Sequence, residues 1–399
     1  MIFATYWFCL FAAVFFAVFW LLPLPRLRLA WLLVACVVFH AHFAGAAGMR
    51  PIIILAVLTY LAGLSGRRSI QWIVLGLSVG ALAFYKYAQF LSVDTLGLVN
   101  AGWGRALSQK ALALAPAAPP LAISFFSFEF VHYLFDVSHG KAPIRNPVRF
   151  GLFAIFFPSL AAGPIKRYES YMPALNEGAE DTRLASISAG LLRVALGFFK
   201  KLVIADNLTG AIDSYHPFYP GMPLSWRWAY LGALSLRILF DFSGYSDIAI
   251  GLAQMTGIAI PENFAFPYLA SNVREFWHRW HISLSTWVRD YVYIPLGGNR
   301  HGAARRVAYG LIAFALVGLW HGPSWHYVFW GVYHGVALGV STTYARLLGP
   351  AGAALQAFFQ RAWILSWGVT LLFVAFGWLL FFYPTAEAWG MFRLLFSFR

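Results

Sequence analysis

From Ile2 to Leu22 the chain carries no charged side chain. As a helix, that run is about long enough to cross the roughly 30 Å hydrocarbon core of a bilayer. Further apolar runs lie near 29–47, 51–65, 70–92, 119–138, 148–164, 184–205, 228–256, 307–321, 325–345 and 362–383. Lipid offers no hydrogen bonds to backbone N–H and C=O groups, so segments that cross it in this way are helical. The fold class that follows is an all-α, polytopic transmembrane protein with roughly ten or more membrane helices. The runs at 51–65 and 148–164 are short and interrupted by Gly, Pro or adjacent charge, which predicts tilted, paired or re-entrant elements.

Composition agrees. With 60% hydrophobic and 11% charged residues in 399, the chain holds more apolar surface than one water-soluble core can hide. The net charge of +14 would raise nucleic-acid binding in a soluble protein. Here the basic residues sit in short gaps between apolar runs, as loops held against an inner leaflet do, and no nucleic-acid partner is expected. Arg26 and Arg28, Arg67 and Arg68, Lys141 with Arg145 and Arg149, Lys166 with Arg167, and Arg300 with Arg305 and Arg306 mark the cytoplasmic side. That assignment places a multi-pass protein in a bacterial inner membrane, with its N-terminus periplasmic and segment 93–118 facing outward. No internal repeat or soluble domain is evident, so residues 1–399 read as a single membrane domain. Cys9 and Cys36 lie inside apolar runs and read as packing residues.

Chemistry concentrates in two places. Residues 274–306 hold eight charged side chains in 33 positions, among them the run REFWHRWHISLSTWVRD from Arg274 to Asp290. Its spacing predicts an amphipathic helix in which Glu275 and Arg279 pair one turn apart. His278 and His281 are three apart and would share a helical face, yet no third ligand stands at a metal spacing, so no metal site is expected. The second concentration is GLWHGPSWHYVFWGVYHG, Gly318 to Gly335. A helix rising from Arg305 and Arg306 covers about 22 Å between Val307 and His321, which leaves His321 inside the bilayer beside the Gly322–Pro323 break. An ionisable side chain at that depth is costly and is commonly kept for catalysis, proton relay or substrate binding, although it also serves as a helix-to-helix hydrogen-bond partner. His326 and His334 read as structural.

Two further motifs are more ambiguous. In DFSGYSDIAIGLAQMTGI, Asp241 and Asp247 are six apart and point to different faces of a helix, against a paired-carboxylate mechanism. In FFPSLAAGPIKRYESYMPAL, Lys166 and Arg167 read either as a phosphate contact or as a positive-inside anchor, the anchor being the simpler reading.

Taken in order over about 150–383, FFPSLAAGPIKRY, DFSGYSDIAIGLAQMTGI, PENFAFPYL, REFWHRWHISLSTWVRDYVYIPLGGNR, LWHG and WGVYHG resemble the membrane-bound O-acyltransferases. Within them the chain is similar to the alginate O-acetyltransferase-like branch, related to the D-alanyl transfer proteins of teichoic acid synthesis. YIPLGGNR looks like the polysaccharide-acetylating branch, whereas the compact length is closer to the D-alanyl transfer proteins. The resemblance implies that His321, in LWHG, and His281, in RWHIS, are the catalytic residues. Trp277, Ser283, Trp287, Asp290 and Trp320, from the same motifs, are candidate substrate or channel residues.

It also implies an acetyl group carried by a cytoplasmic thioester, acetyl-CoA or another acyl thioester, with no tightly bound cofactor. The acceptor would be a hydroxyl on a periplasmic acetyltransferase or small membrane partner, for exopolysaccharide acetylation. In this scheme His321 acts as general base, worth about a hundred- to ten-thousandfold, and His281 orients the acceptor or stabilises the oxyanion. D-alanyl or other acyl transfer to a cell-envelope polymer remains an alternative. So does a flippase for a polysaccharide precursor, since buried ionisable residues and broken helices suit a proton relay equally.

Overall fold

A computed structural model describes residues 2–114, 119–160, 162–180 and 184–397. Among them there are helices and no strand, and one isolated bridge joins Phe264 to Trp280. Four helical segments are long and apolar enough to cross a membrane by length and composition: Pro25–Leu64, Arg68–Val99, Gly302–His321 and Trp363–Phe382. Tyr6–Leu21 and Pro147–Ser159 are shorter apolar elements. Of segment 93–118, the described part is mostly the Ala101–Leu114 helix, and residues 115–118 lie outside the described residues, as does Ala161 of the FFPSLAAG run.

Packing divides the chain into two compact units, Met1–Leu196 with Tyr245–Pro261, and Gly197–Gly244 with Glu262–Arg399. In the first, the runs expected as separate elements at 29–47 and 51–65 form one 40-residue kinked helix. Gly45 makes the kink, at φ 64° and ψ 171°, a conformation that costs a residue without Cβ little. Pro51, with no N–H to give, follows it within the same helix. Close approach of backbones recurs here: a Cβ on Gly190 would lie 2.6 Å from the Gly251 carbonyl oxygen.

Ion pairs in this unit join stretches far apart in sequence. Arg193 reaches Asp247 at 3.1 Å. Lys166 is not a solvated anchor, because it is buried, paired with Glu129 and surrounded by the rings of Phe153, Phe156 and Tyr171. A buried charge persists only when paired, so the cation in PIKRY is a packing element of this unit.

The second unit is organised around a hairpin of Gly302–His321 and Trp325–Leu347. Glycine makes the contact. A Cβ on Gly318 would lie 2.1 Å from the Tyr327 carbonyl oxygen, and one on Gly331 would lie 2.1 Å from that of Phe314. Small residues allow such approach where lipid gives no hydrophobic drive to helix association. Trp363–Phe382 packs along the second hairpin helix, and the C-terminal Thr385–Leu394 helix is tied down by the buried Arg227. Its guanidinium donates to the carbonyls of Leu394 (2.7 Å) and Pro220 (3.0 Å). Asp241 pairs with Lys201 at 2.6 Å in this unit, whereas Asp247 pairs in the other, in keeping with their different faces.

Candidate active site

The continuous helix expected over Arg274–Asp290 is broken. Val273–Arg279 and Ile282–Val288 are separate helices, and between them Trp280 is extended while His281 is left-handed at φ 43°, ψ 55°. The cause is the PENFAF segment running alongside. Ala265 N–H donates to the Arg279 carbonyl at 3.0 Å, and Ile282 N–H donates to the Asn263 carbonyl at 3.0 Å. Two backbone bonds to an outside strand replace helical ones, and His281 sits between them. A left-handed non-glycine residue costs about 1–3 kcal/mol, and such strain clusters at functional positions. The shared face of His278 and His281 does not survive the break. The Glu275–Arg279 pair does, at 2.6 Å.

The first short helix is well capped. Asn272 accepts from Glu275 N–H at 2.9 Å, and the Glu275 carboxylate accepts from the backbone and hydroxyl of Ser271, both at 2.8 Å. Partial desolvation raises the Glu275 pKa, but the bonds from Ser271 and Arg279 outweigh it and hold the carboxyl below its ordinary value.

His281 is 1% exposed, and neither ring nitrogen has a hydrogen-bond partner among the described residues. Its ring stands edge-on to Phe242 at 4.6 Å and lies 5.8 Å from that of Trp320. Trp320 in turn meets His321 at 4.9 Å, so one indole bridges the two candidate catalytic histidines. A buried polar group without a partner costs about 1–3 kcal/mol, which adds to the backbone strain at the same residue.

His321 is half-buried within a cage of Trp330 (5.2 Å, perpendicular), Phe381 (5.0 Å) and Tyr327 (6.5 Å). Its helix starts at Gly302 rather than Val307. Twenty residues rise about 30 Å, the hydrocarbon thickness, so an upright helix sets His321 at the far end of a span rather than partway through it. Gly322 ends the helix where a Cβ would strike the Tyr327 ring at 2.2 Å.

Beside this pair lies a cavity of about 580 Å³ that neither histidine lines. Its wall follows one side of the hairpin from Arg306 to Val317, a rise of about 16 Å along the axis. Arg274, Arg289 and Arg306 supply the cationic lining with His278 beside them, whereas Ile282, Phe314 and Val317 are apolar. Arg306 donates to the Thr342 carbonyl at 3.1 Å, and its buried Nε has no partner among the described residues. The inner end is close to the histidines in sequence and space: Val317 is one helical turn before His321, and Ile282 directly follows His281.

The remaining candidates separate. Trp277 lines the cavity. Ser283 is buried and donates to the Asn263 side-chain oxygen at 2.6 Å, fastening the PENFAF segment to the second short helix. Trp287 packs on Tyr291, and Asp290 pairs with Arg289 at 2.7 Å, in the turn that delivers Arg289 and Tyr293 to the cavity. Sequence reasoning missed Asn263, whose signal was a polar residue within the PENFAFPYL motif, and Phe242, whose neighbour Asp241 drew attention instead. His326 bonds Ser324 at 2.8 Å at the hairpin tip. No cluster of three metal-ligating side chains occurs among the described residues.

Residues 140–385 match the membrane-bound O-acyltransferase family. The chain belongs to that family. A probable alginate O-acetylase of Pseudomonas aeruginosa is 38% identical over 349 residues, covering 84% of this chain and 62% of the relative. The peptidoglycan O-acetyltransferase of Helicobacter pylori is 34% identical, covering 78% and 61%. A teichoic acid D-alanyltransferase of Bacillus subtilis is 31% identical over 55% of this chain and 58% of its own length. The chain spans about three fifths of the length of these curated relatives. Membership and the apolar helices together make it a membrane protein.

Proposed function

We propose that this protein moves an acetyl group from an acyl thioester, acetyl-CoA or a related donor, on the cytoplasmic face of a bacterial inner membrane to a hydroxyl on the periplasmic face, for O-acetylation of an exopolysaccharide. The observation that carries the reading is the slot along the hairpin. Arginines line it where an anionic donor head would lie, and its apolar end falls one turn short of His321. By the positive-inside rule the Arg300–Arg306 loop is cytoplasmic, which sets His321 towards the periplasm, and a cytoplasmic Arg26–Arg28 loop after the first apolar helix leaves the N-terminus outside. The donor and acceptor then approach one site from opposite faces.

In the reaction, a ring nitrogen of His321 takes the acceptor hydroxyl proton as its oxygen attacks the thioester carbonyl. The C–O bond forms, the C–S bond breaks, and the proton passes to the departing thiolate. His281, whose ring has no hydrogen-bond partner among the described residues, donates to the developing oxyanion, and the aromatic cage excludes water that would hydrolyse the thioester. The thioester is a substrate, so the scheme needs no resident cofactor. A periplasmic acetyltransferase or small membrane partner carries the acceptor hydroxyl. The names of the alginate and peptidoglycan relatives support a polysaccharide as the end point.

Gly310 offers a direct test, because it lines the slot and a Cβ there meets nothing within 4 Å. In proteoliposomes supplied with labelled acetyl-CoA and the acceptor partner, the native chain passes label to the acceptor. Gly310→Trp fills the slot and stops transfer, as does His321→Ala. A folded Gly310→Trp protein that transfers at the native rate would overturn the donor path. Labelled polymer precursor crossing the membrane without acetyl transfer would establish the flippase reading instead.

A further inference from the structure

His334, on the second hairpin helix, is fully buried, and the reaction above does not use it. Its Nδ1 accepts a hydrogen bond from the Trp277 indole N–H at 3.3 Å, which places its own proton on Nε2. Nε2 has no partner among the described residues and faces Gly377, where a Cβ would lie 3.1 Å away. The imidazole therefore commits its one acceptor to holding an indole, in a place where a buried polar group is costly.

That indole occupies a particular position. Trp277 lines the slot, packs against Phe314 at 4.8 Å and meets Trp330 at 5.8 Å, and Trp330 in turn stands perpendicular to His321 at 5.2 Å. Phe314 and Val317, the slot residues nearest the hairpin tip, flank the same end. A chain of two indoles thus links that end of the slot to His321.

We propose that Trp277 is the wall that limits the length of the transferred acyl group, and that His334 is the positioning residue that keeps this wall in place. The inference rests on the slot being the path of an acyl thioester. With the thioester carbonyl at the apolar end of the slot, an acetyl methyl fits in front of the Trp277 indole, whereas each further methylene must push Trp277 towards Trp330 and the cage of His321. An apolar pocket rejects one surplus methylene by about 10- to 200-fold, so a rigid wall produces steep discrimination.

The test uses the full chain in nanodiscs with acetyl-, butyryl- and hexanoyl-CoA, reading both ligand-induced thermal stabilisation and the ratio of transfer rates. Wild type favours acetyl. Trp277→Ala raises the butyryl-to-acetyl ratio at least about tenfold and increases donor hydrolysis. His334→Leu, which frees the indole, shifts the ratio the same way by less, and His334→Gln, whose amide oxygen again accepts from the indole, restores it. Trp277→Phe, with the smaller ring, gives a folded intermediate should the alanine variant fail to fold. A folded Trp277 variant that keeps the wild-type ratio in both readouts overturns the wall, and an unchanged ratio in His334→Leu overturns the positioning role. Wild-type protein that neither binds nor uses any of the three thioesters removes the donor path itself and this inference with it.

Discussion

Gly331→Ala adds one methyl group at the tightest point of the hairpin. Its Cβ would lie 2.1 Å from the Phe314 carbonyl oxygen, where ordinary contact begins at 3.4 Å, a shortfall of 3.4 − 2.1 = 1.3 Å. Both partners are backbone, so no side chain can turn aside and the two helices must part. Overpacking of this kind costs about 1–3 kcal/mol, and the better helix propensity of alanine returns up to about 1 kcal/mol. Stability therefore falls modestly. Activity falls much further, since His321 ends the displaced helix and an error of about 1 Å in a reacting group costs roughly a hundredfold. The assay is acetyl transfer in proteoliposomes beside thermal unfolding in detergent, with Gly368→Ala on the Trp363–Phe382 helix as the control, where a Cβ meets nothing within 4 Å. A native rate in folded Gly331→Ala, or equal damage from Gly368→Ala, would refute the argument that glycine contact sets the position of His321.

Further outcomes follow from the same geometry. His281→Ala should lower transfer at least about a hundredfold with little change in thermal stability, because it removes an unpartnered buried polar group along with the function; a matching loss of folded protein would contradict this. Asn263→Ala leaves the buried Ser283 hydroxyl without this acceptor and should cost about 1–3 kcal/mol, while adding Ser283→Ala should cost less than the sum of the two, as read by a double-mutant cycle. Lys166→Met should destabilise by about 3–5 kcal/mol by stranding the Glu129 carboxylate, and Lys166→Met with Glu129→Met should recover most of that in the same unfolding assay. The Glu275 carboxyl is held below its ordinary value in the folded protein, so its contribution is present above about pH 4.5 and fades as pH falls through the folded value; the stability gap between wild type and Glu275→Gln should narrow accordingly in thermal scans.

What could be read from the sequence was whatever depends on composition and spacing along one chain. Lipid as solvent, helices as the only spanning element, an apolar helix ending at His321 and the Glu275–Arg279 pair are all of that kind. The kinked union of 29–47 with 51–65 was not legible, because Gly45 and Pro51 mark an end and a bend equally well, and only neighbouring packing decides between them. Lys166 misled for a similar reason. A lysine beside Gly163–Pro164 has the signature of a loop anchor, and its partner Glu129 is 37 residues away in sequence.

The site divides along the same line. His321 stood out because a histidine at the end of a long apolar run is conspicuous by itself. His281 could be named through its motif, but its working feature, a left-handed backbone between two bonds to the PENFAF segment, belongs to two stretches of chain and appears in neither alone. The local sequence from Arg274 to Asp290 favours a single helix, and Asn263 with Ala265 overrides that preference by offering the backbone a different partner. Tertiary pairing that defeats a strong local propensity is unfavourable unless something selects it, and here it leaves His281 buried, strained and without a hydrogen-bond partner among the described residues at once. Three costs on one residue, next to the indole that touches His321, argue that the break in the helix is maintained for the chemistry rather than for the fold.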